Sequence, residues 1–364
     1  MTGMEKAAAK LKGYDGPEVR VMEVCGTHTA AIFKSGLRSV ISPNIKLISG
    51  PGCPVCVTAA GYVDRLIELA MLPDHCVLSF GDMLKVPGSE GSLLSHRSDG
   101  ARFQMIYSPL QTLDLARREP QTTFVVAAVG FETTAPAYAL LAEEALRLGI
   151  ANIRLLTALK TILPAMEFIC RTEPQIDAFL CPGHVSAILG AEAYHPLCEQ
   201  YRKPMVVGGF TGEHLLAALN EILTELNQSK PAVCNLYPEA VSDGGNQKAQ
   251  ALLQRVFEPG AATWRGIGEI PGSALYLKEE FAALDAGSRG LTALLPDPAG
   301  CRCADVVCGR AEPAACPHFG RRCSPQDPLG ACMVSDEGAC AVWHRNKSPL
   351  LASPCDAQTC SHIG

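Results

Sequence analysis

The sequence predicts an α/β protein: two parallel-sheet domains followed by a small cysteine-rich module. Three observations carry that prediction. Short apolar runs such as residues 45–49 and 124–129 alternate with segments whose apolar residues recur at helical spacing, the pattern of βα units. Polar and sulfur-bearing residues collect at the strand-to-helix junctions, where open parallel sheets place their ligands. Finally, cysteines are unevenly placed, with eight in the first 300 residues and nine in the last 64.

Composition narrows the function. A chain of 364 residues with 48% hydrophobic and 19% charged residues can bury two or three cores. A net charge of −6, with no dense Lys/Arg cluster, argues against nucleic acid or an anionic membrane as partner. No run of about 18 uninterrupted apolar residues is present, and residues 1–13 mix Lys and Glu with alanine instead of forming a signal-peptide core. A cytoplasmic location is therefore expected. In a chain of this size and type, seventeen cysteines point to metal ligation and thiol chemistry before structural disulfides.

Residues 18–24 read as the first strand and run into Cys25-Gly26-Thr27-His28-Thr29, with a helix expected over 30–40. Cys25 thus stands at the carboxyl end of a strand, with Thr27 or Thr29 able to cap the helix. The alternative roles are a small core residue for Cys25 and a capping or buried imidazole for His28. The strand 45–49 leads to Gly50-Pro51-Gly52-Cys53-Pro54-Val55-Cys56, then a helix over 58–72. Two thiols three residues apart on a fixed turn point to redox or metal chemistry, and a position at a helix start predicts easier ionisation. A zinc half-site or two unrelated core residues remain the other readings.

A third strand, 76–80, precedes a Gly/Ser-rich loop over 87–100, and the buried strand 124–129 ends in Gly130-Phe131-Glu132-Thr133-Thr134-Ala135-Pro136 before a helix over 137–148. Glu132 and the threonines suit either site lining or helix capping. A second α/β set begins near Ile150, so the first domain is assigned to 1–149 and the second to 150–290. Its strands are expected at 153–159, 176–180 and 204–207, with helices at 163–171, 184–201, 212–227 and 246–257. Cys181-Pro182-Gly183-His184 closes one strand, which makes His184 a further candidate. Neither a Walker A sequence nor a complete GxGxxG is present, since Gly266-Ile267-Gly268 continues to Pro271.

From Cys301 the module 291–345 has too little apolar sequence for a core of its own, so a metal is expected to hold it. Its cysteines form a CxC pair followed by gaps of four, seven, six, eight and seven residues, which suits a [4Fe–4S] cluster better than paired zinc ligands. The CxxxCxxC of radical enzymes is absent, because Ser49 stands where its first cysteine is required.

Assembled in order, Cys25 to Thr29, Gly50 to Cys56, Gly130 to Pro136, Pro182 to Ser186, Cys316-Pro317-His318-Phe319-Gly320 and Cys332 to Cys340 make the chain resemble the HypD family of hydrogenase maturation proteins. The resemblance runs from about Val21 to Trp343. It implies two Rossmann-like domains, a [4Fe–4S] cluster, and a role as the scaffold on which Fe(CN)₂CO is built for [NiFe]-hydrogenases. It further implies a HypC-type small chaperone and a HypE-type cyanide donor as partners; separately, the free chain is expected to be a monomer. The family's cluster spacing of fourteen, six and sixteen intervening residues falls on Cys301, Cys316, Cys323 and Cys340, with Cys303 the rival first ligand. Cys355 and Cys360, in the tail 346–364, lie beyond the resemblance and receive no role.

On this reading Cys25 offers a soft thiolate to the low-spin iron of Fe(CN)₂CO. His28 holds or donates to a cyanide nitrogen, and Cys53 with Cys56 cycles between dithiol and disulfide. The helix starts at Cys25, Cys56, Thr133 and His184 together line an anion-friendly crevice. Two rivals stand beside it: a cluster-fed thiol–disulfide reductase resembling ferredoxin:thioredoxin reductase, which leaves Cys25 and His28 idle, and an iron–sulfur assembly scaffold whose front domains only dock partners.

Overall fold

The computed structural model of the protein describes residues 3–228, 230–292 and 298–346. Helix α1 (Gly3–Lys12) is followed by β1 (Val19–Glu23), α2 (Gly26–Lys34), the single turn α3 (Leu37–Val40), β2 (Ile45–Ser49) and α4 (Ala60–Ala70). Next come β3 (His75–Ser79), β4 (Phe103–Met105), α5 (Gln111–Arg118), β5 (Thr123–Gly130), α6 (Ala135–Arg147), β6 (Ile153–Lys160) and α7 (Ile162–Thr172). The chain continues through β7 (Ala178–Pro182), α8 (Gly183–Leu189), α9 (His195–Tyr201), β8 (Met205–Gly208), α10 (Gly212–Glu225), β9 (Val233–Asn235) and α11 (Gln247–Val256). It closes with the hairpin β10 (Phe257–Trp264) and β11 (Gly268–Leu277), then α12 (Cys303–Val307) and α13 (Ala339–Arg345).

Among the described residues the strands form two sheets, ordered β2-β1-β7-β8-β9 and β10-β11-β6-β5-β3-β4. Every pairing of the first is parallel. The second is parallel from β6 to β4 and ends in the antiparallel hairpin. The continuous apolar run of β5 is buried along nearly its whole length, as a central parallel strand covered on both faces requires. Both sheets reverse their winding: between β1 and β7 in the first, and between β3 and β5 in the second. At such points the loops leaving neighbouring strands diverge and open a crevice at the carboxyl ends.

The sheets do not divide the chain at 149/150. Strands β1 and β2 join β7, β8 and β9, whereas β3, β4 and β5 join β6 and the hairpin, so the path crosses from one sheet to the other and back. Local periodicity shows that a strand exists but not which strand it pairs with. Smaller differences have local causes. Gly36 (φ 64°) separates α2 from α3 where one helix was expected, and Gly190 (φ 89°) ends α8 before α9. The glycine-punctuated stretch around Trp264 forms the β10–β11 hairpin, its turn passing through Gly266 (φ 77°).

The cysteine-rich segment is not packed apart. Cys308, Phe319, Cys323, Cys332, Met333 and Cys340 share one apolar cluster with Met22, Cys53, Cys56, Phe179 and Trp264. Cys355 and Cys360 lie outside the described residues.

Candidate functional site

Both switch points carry residues singled out from the sequence. Cys25 follows β1 in extended conformation as the residue before α2, and His184 is the second residue of α8, just after β7. Glu132 follows β5 in the second sheet. Cys25 is 8% exposed. Beneath it lies Glu23, whose Oε2 accepts the Cys25 N–H at 3.2 Å while Oε1 accepts the Thr29 hydroxyl.

Two glycines bring other segments onto Cys25. A side chain on Gly52 would strike the Cys25 backbone nitrogen, and one on Gly26 would strike the Glu337 carbonyl. The Gly50–Cys56 turn therefore closes on the Cys25 backbone, and the tail loop around Glu337 closes on Gly26 beside it. Thr27 donates its hydroxyl to Glu337 Oε1 at 3.3 Å. Cys53 and Cys56 form a disulfide, with the Cys56 N–H directed at Cys53 Sγ at 3.3 Å. The tail backbone crosses this pair: a side chain on Gly338 would lie 3.1 Å from Cys56 Sγ and would meet the Cys332 carbonyl. The cavity among Gly26, Gly52, Cys53, Cys56, Cys332 and Glu337 has a volume of about 10 Å³, enough for roughly one water.

Electrostatics correct two expectations. Burial pushes the Cys25 thiol up to about 11, opposed by the His28 N–H and the Thr27 hydroxyl and reinforced by the charges of Glu337 and Glu23. The helix start does not ionise it, because desolvation outweighs the dipole. The helix after the CxxC pair begins only at Ala60, so Cys56 lies outside its first turn and gains nothing from its dipole.

His28 is fully buried, with Nε2 3.2 Å from the carbonyl oxygens of both Gly208 and Gly209. Those oxygens only accept, so Nε2 carries the proton and Nδ1 the lone pair. Burial pushes the imidazole down to about 4, so the ring is neutral. Its single N–H is committed to backbone, and donation to a cyanide nitrogen does not fit. The ring packs on Phe210 at 4.7 Å between centroids, and the exposed His184 packs on the same phenyl at 4.2 Å.

Glu132 is 3% exposed. Its Oε1 accepts the Ile162 N–H at 2.8 Å, capping α7, while Oε2 has no partner among the described residues, and burial raises the carboxyl to about 7. Thr133 is exposed and Glu132 faces α7, and neither they nor His184 line the small cavity beside Cys25, so the four helix starts do not share one closed crevice.

In the cysteine-rich segment Cys301 Sγ lies 3.4 Å from Cys303 Sγ. Gly330 leaves room for both, since a side chain there would strike Cys303 Sγ and come within 3.4 Å of Cys301 Sγ. Hydrogen bonds with Cys303 and Cys340 hold the Cys332 thiol well below its ordinary value, and those with Cys303 and Cys332 push Cys340 up. Cys323 approaches the group through the backbone N–H groups of Gly330 and Leu329. The structure thus gathers Cys301, Cys303, Cys323, Cys332 and Cys340, with Cys316 half-buried one loop before Phe319. A soft, all-thiol donor set of this kind fits an iron–sulfur cluster.

Residues missed in the sequence are Glu23, Cys332 and Glu337. Glu23 had a signal, as an acid inside an otherwise buried strand. The other two sit in turns whose approach to Cys25 depends on the tertiary fold.

Fold and crevice together define an α/β protein with a buried cysteine at the switch point of a parallel sheet and a disulfide on the neighbouring turn. The family model for HypD, described as "Hydrogenase formation hypA family", matches residues 3–347. The chain is 43% identical over 350 residues to the hydrogenase maturation factor HypD of Azotobacter vinelandii, covering 93% of this chain and 92% of the relative. To HypD of Escherichia coli K12 it is 38% identical over 331 residues, covering 90% and 89%. The chain belongs to the HypD family of hydrogenase maturation factors.

Proposed function

We propose that the protein is the scaffold on which the Fe(CN)₂CO unit of [NiFe]-hydrogenases is assembled, with Cys25 as its thiolate ligand to the iron. The observation that carries this reading is that the Cys53–Cys56 disulfide and the tail thiol Cys332 line one crevice together with Gly26, the residue after Cys25, and that the CxxC turn lies against the Cys25 backbone at Gly52. A disulfide alone suits a reductase, but a separate buried thiol at the sheet switch point, backed by Glu23, suits a ligand for incoming soft iron.

Cys25 is a neutral thiol in the free chain, so metal binding must expel its proton. The cavity of about 10 Å³ is too small for an iron carrying three diatomic ligands, so the tail loop holding Glu337 and Gly338 swings aside to admit it. That opening separates Thr27 from Glu337 and uncovers Cys56. Reduction of the disulfide to two thiols takes up two electrons and two protons, and its reoxidation returns them. Cys301, Cys316, Cys323 and Cys340, or Cys303 and Cys332 in place of two of them, would hold the [4Fe–4S] cluster. When bound, it supplies electrons one at a time. A HypC-type chaperone brings or removes the iron unit at the opened crevice, and a HypE-type protein delivers cyanide there.

The test is an infrared spectrum of the protein isolated anaerobically with its small chaperone. Bands in the cyanide and CO stretching region, with iron in excess of four per chain, are expected under this assignment. A complex that matures hydrogenase yet shows neither band refutes the scaffold role.

A further inference from the structure

Lys160 ends β6 and is 4% exposed. Its Nζ donates to the Thr263 carbonyl at 2.9 Å and stands 5.7 Å from the Trp264 ring centroid. Among the described residues it makes no ion pair. A buried ammonium without a counter-charge is expensive to maintain, and neither a carbonyl nor a ring face supplies a full negative charge. Burial accordingly pushes its amine down to about 7, with no acid acting in the other direction.

This lysine lines a cavity of about 280 Å³. Ala59, Ala158, Ala262, Ala274 and Leu291 give it apolar walls, with Tyr62 and Tyr276 beside them. The Thr157 hydroxyl, also in the wall, is buried with no hydrogen-bond partner among the described residues. Arg289 lines the cavity too, but its charge is taken by Glu258 at 2.5 Å and its guanidinium lies over the Tyr276 ring at 4.4 Å. Glu269, exposed in the lining, adds negative charge. One buried amine without a counter-charge, one spare hydroxyl and the alanine and leucine portion of the wall match a single negative charge on a small apolar body. A phosphate dianion would demand more donors than these.

We propose that this cavity binds a small monocarboxylate, its carboxylate paired with Lys160 and its body against the alanine walls. The site is distinct from the Cys25 crevice yet mechanically joined to the CxxC turn. Trp264, beneath Lys160, packs on Phe131 at 5.9 Å and bridges to Thr58, and Arg265 donates its N–H to the Val57 carbonyl at 2.8 Å. A ligand on Lys160 therefore braces the strand against which that turn rests.

Thermal unfolding and calorimetric titration of the full chain with acetate, butyrate and benzoate, against acetamide, butyramide and benzamide, test the assignment. At least one acid should bind and raise the Tm while its amide does not. Lys160→Met, which replaces the buried charge by an apolar chain of similar length, should weaken that acid about thirtyfold or more. Ala261→Phe, at the exposed rim, should block it with the lysine intact. Equal effects of acids and amides, unchanged acid binding in both variants, or inorganic phosphate binding to the cavity in place of the acids would overturn the proposal, as would no acid binding at millimolar concentration.

Discussion

The Glu23 carboxylate holds the Cys25 backbone N–H at 3.2 Å from two residues upstream, at the point where β1 gives way to α2. A strand end normally presents that N–H to water or a neighbour. Here it is spent on a buried acid that also takes the Thr29 hydroxyl, so the thiol position is fixed by the first turn of its own helix. Replacement of Cys25 should therefore leave the local fold intact.

Cys25→Ala and Cys25→Ser are expected to fold with normal cluster absorbance near 400 nm, to lack cyanide and CO bands, and to fail in hydrogenase maturation. Loss of one buried sulfur should cost about 1 kcal/mol. Bands that persist in purified Cys25→Ala would move the iron to Cys53 or Cys56.

Gly52→Ala places a methyl group against the Cys25 backbone nitrogen. The CxxC turn must then withdraw, with a destabilisation of about 1–3 kcal/mol by overpacking. Thiol counting by alkylation, before and after a mild reductant, should still show the two-thiol change of Cys53 and Cys56, but maturation should fall sharply. Full activity with unchanged stability would show that the contact is not needed.

Single replacements decide the cluster ligands. Cys323→Ala should abolish the chromophore under either assignment, since Cys323 reaches the gathered thiols and keeps the family spacing. Cys316→Ala should abolish it under the spacing-based set, and Cys332→Ala should then spare it while slowing reduction of the Cys53–Cys56 disulfide. The opposite pattern, measured by iron and sulfide content, would install Cys332 as a ligand and remove Cys316.

Glu132 predicts a pH signature. Its carboxyl is raised by burial from 4.5 to about 7, so the folded state holds this proton more tightly than the unfolded chain. That contribution to stability is fully present below pH 4.5 and is lost as pH rises through 7, a change on the order of 3 kcal/mol. Glu132→Gln keeps an oxygen for the Ile162 N–H and cannot ionise, so its advantage over the parent should grow between pH 4.5 and 7 and then level off. Urea unfolding curves that stay parallel across this range would remove burial as the cause.

The residues that mark the candidate site were more legible in the sequence than the architecture that holds them. Cys25, the CxxC pair, Glu132 and His184 stand out because special residue types at strand ends are a local signal, and the structure sets all of them at or beside a switch point. Other features depended on distance in the chain. Strands β4 and β9 have three residues each, too few to show a period, and β11 (Gly268–Leu277) is hidden behind glycine and proline. The proton on His28 is set by carbonyls from Gly208 and Gly209, 180 residues away, and the Cys25 thiol is kept neutral by burial that no helix-start argument reveals.

The interleaved path of the chain has a consequence during synthesis. Strand β1 finds its second neighbour only when β7 is made, and Ser49 at the end of β2 precedes Ala178 at the start of β7 by about 130 residues. At a translation rate of about 5–20 residues per second, the β1 edge waits on the order of ten seconds at the ribosome. Meanwhile the central strands of the second sheet, β3 to β6, can pair and pack. The Cys25 end of β1 is thus born as an open, sulfur-bearing edge, and a nascent-chain binder that shields it over this interval would raise the yield of folded protein.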